Sequence, residues 1–266
     1  MSRAIAHFVS ITLMAATVAT AQPVEQTPTK TVRIPGTVVE CELVRVERDG
    51  KPTLWVGRTE ITWDLYDVYL YGLDIPEGTE PDAVTRPSKP YVPPDRGMGH
   101  AGYPAIGMTR GAAESFCEWF SGRTGLVARL PTPAEFTAYA AIDEDAALDD
   151  YAWTATNSDN NTQPVGSLEA NTLGLHDTLG NVAEWVATEG KPVAMGGSYR
   201  DAADRNTPRA VQQQARSWNR SDPQIPKSQW WLADCSWVGF RFVVEETADD
   251  STNQPTEQPT EQPASR

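Results

Sequence analysis

Two acids, Asp177 and Glu184, flank the Gly180-Asn181 turn in GLHDTLGNVAEWVA, residues 174–187. Calcium takes about six to eight oxygen ligands, and a sharp turn that aims carbonyls inward between two carboxylates could supply several of them. The plainer alternative is that Asp177 caps a short helix, as Asp readily does, and that Glu184 is solvated. A second stretch, GGSYRDAADR, opens with Gly196 and Gly197. Its polar residues Ser198, Tyr199, Arg200 and Asp201 suit hydrogen bonding to a polar ligand, and the nine tryptophans could supply an apolar platform beside them. For Trp230, Trp231 and Trp237 the plainer alternative is packing in the core.

The cysteines offer less. There are three, Cys41, Cys117 and Cys235, so they cannot all pair within one chain. Cys235 is only a weak candidate catalytic thiol, because Asp234 sits beside it and a low thiol pKa needs a positive neighbourhood. Beyond the leader described below only His100 and His176 remain, too few for a three-histidine zinc or iron centre.

The elements that must position these residues are partly readable. Thr109 precedes a helix in RGAAESFCEWFSGRTG, with Ala113, Phe116, Cys117 and Phe120 on one face and Gly122 or Gly125 to end it. Cys117 is therefore expected in the core. In LPTPAEFTAYAAI, Thr132, Pro133 and Glu135 form a capping box that starts a second helix, whose apolar stripe is Phe136, Tyr139 and Ala140. Strands are expected in LWVGRTEIT, PVAMGG and GFRFVV, and residues 74–104 form a long Pro-rich connection.

The chain carries 22 basic and 36 acidic residues, a net charge of −14, which repels nucleic acid and anionic lipid. Residues 1–21 have Arg3, an apolar stretch and Ala19-Thr20-Ala21, the pattern of a cleaved secretory signal, so the protein is expected to be exported, periplasmic or extracellular, and not membrane-spanning after cleavage. Residues 22–30 suit a linker, 31–244 a single domain, and 245–266, with its PTEQ repeat, a disordered acidic tail.

Five segments in this order, RTEITWDLY, GMTRGAAESFCEWFSGRTGLVARLPTPAEF, PVGSLEANTLGLHDTLGNVAEWV, MGGSY and VGFRFV, resemble the sulfatase-modifying-factor family, that of the formylglycine-generating enzyme. The resemblance covers about residues 55–244 and implies an α+β, irregular, loop-rich C-type-lectin-like fold. It also implies a structural calcium held by the side chains of Asp177 and Glu184 and the carbonyls of Gly180 and Val182. In the enzyme, two cysteines that follow the GGSY motif bind copper and activate oxygen to oxidise a substrate cysteine. Here those positions hold Asp201 and Asn206. Copper(I) selects soft sulfur donors, so copper is not expected. The resulting expectation is a binding or structural module of the cell envelope, its cleft bordered by Ser198, Tyr199, Arg200, Asp201, Arg216 and Trp237 and its ligand a protein or glycan. The alternative is an oxidase of protein cysteine with a rearranged active site.

Overall fold

The computed structural model describes residues 27–245 apart from 49, 52, 77–83, 90–92 and 144. The segments read as a secretory signal and as a disordered tail lie outside the described residues, except Glu245.

Three helices form where capping chemistry and apolar faces coincide. In α1 (Trp63–Tyr71) the Thr62 side chain accepts from the Leu65 amide and Gly72 ends the helix in the left-handed region. In α2 (Arg110–Thr124) Thr109 caps the start and Gly125 the end, while Ala112, Ala113, Phe116, Cys117 and Phe120 are buried. The expected capping box is present in α3 (Pro133–Tyr139), with Thr132 and Glu135 bonded reciprocally. Ala140, expected in its stripe, is the buried C-cap instead.

Two sheets complete the scaffold. The first runs in the order β1 (Thr29–Arg33), β2 (Glu40–Val46), β3 (Leu54–Gly57), β9 (Val243–Glu245) and β4 (Ala128–Arg129), antiparallel throughout. β1 begins inside the stretch read as a linker, because Thr29 and Lys30 pair with Val44 and Leu43. The second sheet has the order β7 (Val211–Gln213), β6 (Val193–Met195), β5 (Ala183–Val186) and β8 (Val238–Gly239), with only the β5–β8 pair parallel.

Helices α1 and α2 cover the larger core, in which Phe116 packs against Tyr66, Phe240 and Phe242. Burying each such ring contributes about 1.5–3 kcal/mol. A second core gathers Phe136 and Tyr139 of α3 with Leu54 and Val56 of β3, Val186 of β5 and Met195 of β6. Both cores draw on β3, β5 and β9: Trp55, Trp185 and Val244 enter the larger one, and Leu54, Val56, Val186 and Val243 the second. No helix among the described residues is long and apolar enough to cross a membrane.

Candidate functional site

The acid-flanked turn is buried. Asn181 takes a left-handed φ of 44°, its Nδ2 donates to Glu60 Oε2 at 2.8 Å, and its Oδ1 accepts from the Gln163 amide at 2.9 Å. Gly180 also has positive φ, and a Cβ there would come within 2.4 Å of the Trp153 carbonyl oxygen. Val182 donates its amide to Glu60 Oε1 at 3.0 Å. Asp177, at φ 52°, accepts from the Gly166 amide through Oδ2 at 2.6 Å, and its Oδ1 is buried without a partner. It does not cap a helix.

Glu184 lies inside β5, where it is 1% exposed. The fully buried Arg241 holds it: Nε donates to both carboxylate oxygens at 3.1 and 3.2 Å, and Nη2 to Oε1 at 2.9 Å. The rest of the guanidinium donates to the carbonyls of Gly57 and His176, each at 2.7 Å. Neither a calcium ligand role nor a solvated Glu184 describes this arrangement. Both oxygens face a permanent cation, and a second cation beside it would meet strong repulsion.

As they stand, the two expected side-chain ligands do not fit calcium. The expected side-chain ligands leave a single unengaged oxygen, Asp177 Oδ1, far short of a calcium shell. Among the described residues no three His, Cys, Asp or Glu side chains converge as a metal-holding group. What the turn gathers instead is three buried carboxylates, Glu60, Asp177 and Glu184, around one guanidinium. Burial, reinforced by Asp177 and Glu184, pushes Glu60 well above the usual carboxylate range. Burial also raises Asp177 against the Gly166 amide, and raises Glu184 against the pull of Arg241. Burial opposes the charge on Arg241, but Glu184 outweighs it and leaves its pKa raised.

The GGSY loop is equally well tied. Gly197 has positive φ, and a Cβ on it would reach within 2.4 Å of Asn206 Oδ1. Ser198, fully buried, donates to Asp201 Oδ2 at 2.5 Å, and the same oxygen accepts from Gln212 Nε2 at 2.7 Å. Gln212 Oε1 in turn accepts from Trp237 Nε1 at 2.9 Å. Asn206 donates to the carbonyls of Asp201 and Ala202 at 3.1 and 2.9 Å. Asp201 and Asn206 thus close the loop on itself.

What remains accessible is a stack. The exposed Arg200 guanidinium lies 3.8 Å from the ring centroid of half-buried Trp237, close enough for a cation–π contact. Trp218 meets the same ring edge-on at 5.4 Å. Tyr199 is turned inward, its hydroxyl 3.0 Å from Ser236 Oγ. Ser198, Tyr199, Arg200, Asp201 and Trp237 therefore belong to one locus. Arg216 does not share that network; it lines a separate basic groove with Lys191 and Arg220.

The three cysteines are unpaired. Cys235 is fully buried and its thiol is pushed up to about 12 by burial, which outweighs the nearby Arg96 and Arg200. A positive neighbourhood is thus present, contrary to the expectation from Asp234, but it does not make a thiolate. Cys41 is likewise raised to about 12, first by burial and then by Glu40 and Glu42. Trp230 is buried and Trp231 and Trp237 half-buried, all packed on the larger core.

Sequence reasoning missed Glu60, Arg241 and Gln212, each of which completes a network begun by a residue it did single out. Arg241 lies inside GFRFVV, and a charged residue in an apolar strand candidate was the available signal. Glu60 and Gln212 carried none.

The sulfatase-modifying factor enzyme 1-like domain matches residues 16–246. The chain belongs to the sulfatase-modifying-factor family. Among solved structures it is similar to Treponema denticola variable protein 1, at 19% identity and a TM-score of 0.56 over 83% of this chain and all of that one. It is also similar to PvdO from Pseudomonas aeruginosa, at 20% identity and a TM-score of 0.53 over 83% of this chain and 92% of that one. No curated protein sequence matches. The mixed, loop-rich fold expected of the family is borne out by these likenesses and by two sheets built mostly of short strands.

Proposed function

We propose that this protein is an exported, non-catalytic member of the sulfatase-modifying-factor family, a binding module of the cell envelope that presents the Arg200–Trp237 face to a protein or glycan ligand. One observation carries the reading. The residues at the two copper-thiolate positions, Asp201 and Asn206, are both engaged in hydrogen bonds that hold the GGSY loop. Neither offers sulfur, and Cys235 and Cys41 are held as thiols, so the side chains do not fit copper. The Arg200–Trp237 stack supports a ligand face because it joins a cation to an aromatic surface, a pairing suited to carboxylate or hydroxyl groups on a flat ligand. The acid-flanked turn is read here as a clasp closed by Arg241 and not as a calcium site.

The test is copper(I) titration of the purified mature chain with free-thiol counting, alongside incubation of a cysteine-bearing peptide with dioxygen and reductant. The expected result is no thiol-dependent copper uptake and no aldehyde in the peptide. Aldehyde formation would establish the oxidase with a rearranged active site and refute the proposal.

A further inference from the structure

Outside the site described above, one groove has a charge opposite to that of the chain as a whole. Its volume is about 700 Å³, and its lining includes Lys191, Arg216, Arg220 and Lys227 but no Asp or Glu. In a protein of net charge −14, most of the described arginines lie on carboxylates, as Arg58 on Glu42, Arg110 on Glu114 and Arg129 on Glu135. No such ion pair holds the four groove cations among the described residues. The neighbouring carboxylates are already engaged: Asp222 accepts from the amides of Gln224 and Ser228 and lies near enough to Lys227 for its charge to be favoured, and Asp234 accepts from Ser221. Lys227 donates to the carbonyls of Arg220 and Asp222, which keeps its head group in the basic segment. Glu189 shares the turn that carries Lys191 and is absent from the lining.

The groove adjoins a sheet edge that no other strand pairs with among the described residues. β7 is the terminal strand of its sheet, and Gln214, two residues before Arg216, belongs to the groove lining. Gly196 donates to the Ala210 carbonyl and Gln214 donates to the Pro192 carbonyl, so positions 210, 212 and 214 face β6. Antiparallel geometry then turns the amides and carbonyls of Val211 and Gln213 outward. Both residues are exposed, Val211 by 58%. An edge of this kind is a template for an added strand.

We propose that the β7 edge and the adjoining basic groove dock an extended acidic peptide segment of a partner protein. Val211 and Gln213 supply main-chain hydrogen bonds, and Lys191, Arg216, Arg220 and Lys227 receive the acidic side chains. Strand addition gives affinity through the backbone, and the cations give specificity. A polysaccharide of similar charge is disfavoured because no aromatic residue lines the groove for a sugar ring to stack on. The proposal does not depend on the Arg200–Trp237 face.

The test uses the full chain and a fluorescein-labelled peptide of alternating Glu and Val, with an alternating Lys and Val peptide as control, read by fluorescence anisotropy at low and physiological salt. The acidic peptide is expected to bind, more weakly as salt rises, and the basic one not to bind. R216E/R220E should weaken binding by roughly tenfold or more, whereas K51E, a charge reversal in the loop between β2 and β3, should leave it within about twofold. V211P removes an outward amide without touching the β6 ladder and should weaken binding about threefold or more. Circular dichroism and melting temperature check that each variant is folded. No binding by the acidic peptide, or equal binding by R216E/R220E, would overturn the proposal. So would undiminished binding by V211P, or polygalacturonate binding as tightly as the acidic peptide, the latter an outcome that would assign the groove to acidic glycans.

Discussion

Arg241→Met isolates the clasp on the acid-flanked turn. The guanidinium is fully buried and joins Glu184 on β5 to the Gly57 carbonyl at the end of β3 and the His176 carbonyl just before Asp177. Breaking a buried ion pair on one side costs about 3–5 kcal/mol. Leaving two carbonyls unsatisfied adds about 1 kcal/mol or more each. Protonation of Glu184 limits the loss, because its pKa is already raised and each further unit costs only about 1.4 kcal/mol. The net expectation is about 4–6 kcal/mol, a large part of the ~5–15 kcal/mol that holds a typical domain. Urea denaturation would register it as a midpoint lowered by about 2 M at a slope of about 2–3 kcal/mol per M. E184M/R241M should recover part of that loss, since removing both partners leaves no uncompensated charge. A calcium site makes the opposite prediction. If excess calcium raises the melting temperature of the unaltered chain and E184Q abolishes the effect, the carboxylate holds a metal and the clasp assignment is wrong. A loss below about 1.5 kcal/mol for R241M, or strict additivity in the double variant, would also refute it.

Three further outcomes follow from the same geometry. Glu60 has a folded pKa raised above its ordinary 4.5, so its contribution to stability is present below that value and is lost as pH rises toward the folded pKa. E60Q should therefore flatten the decline in stability above pH ~4.5 by up to about 1.4 kcal/mol per pH unit, measured by urea midpoints across a pH series; an unchanged slope would show that Glu60 stays ionised. The slope is the readout because the Gln side chain has one acceptor oxygen, can serve only one of the Asn181 and Val182 donors, and so carries a cost of its own. G180A should destabilise by about 2 kcal/mol or more in thermal melts, since the added methyl meets the Trp153 carbonyl at 2.4 Å on a left-handed backbone; an unshifted melt would contradict the close approach. Cys235 should react with a thiol reagent only after denaturant is added, and rapid labelling of the native chain at neutral pH would contradict its burial.

Helices α2 and α3 were legible because their signals are local: a Thr cap, a glycine stop, an apolar face recurring at helical spacing. Helix α1 was not, because Trp63, Leu65, Tyr66, Val68, Tyr69 and Leu70 are all buried, which spreads apolar residues around the helix and erases its stripe. The strand β7, Val-Gln-Gln, has no alternation to read and exists because Gln212 pairs with Ala194. The turn at Gly180-Asn181 was visible, as was the closeness of acids to it. What those acids do was not, because Glu60 is 121 residues from Asn181 along the chain and Arg241 is 57 from Glu184. Pairing over such separations is written in the topology and not in any window of sequence.

The stretches 174–187 and 196–205 are linked through one backbone contact, and that link bears on how firmly the GGSY loop is held. The Tyr199 amide donates to the Asn181 carbonyl at 2.8 Å, joining the GGSY loop to the acid-flanked turn. Asn181 is fixed by Glu60, and Glu184, three residues further on, by Arg241. Asp201 and Asn206 brace the far side of the loop through Ser198, Gln212 and its own carbonyls. The loop is thus held from both sides by oxygen and nitrogen donors, none of which requires a metal or a thiolate. Asp201 and Asn206 contribute hydrogen bonds that rigidify this backbone. A loop fixed in that way carries the exposed Arg200–Trp237 stack with little conformational entropy left to lose, and preorganisation of this kind lowers the cost of the ligand binding proposed for it.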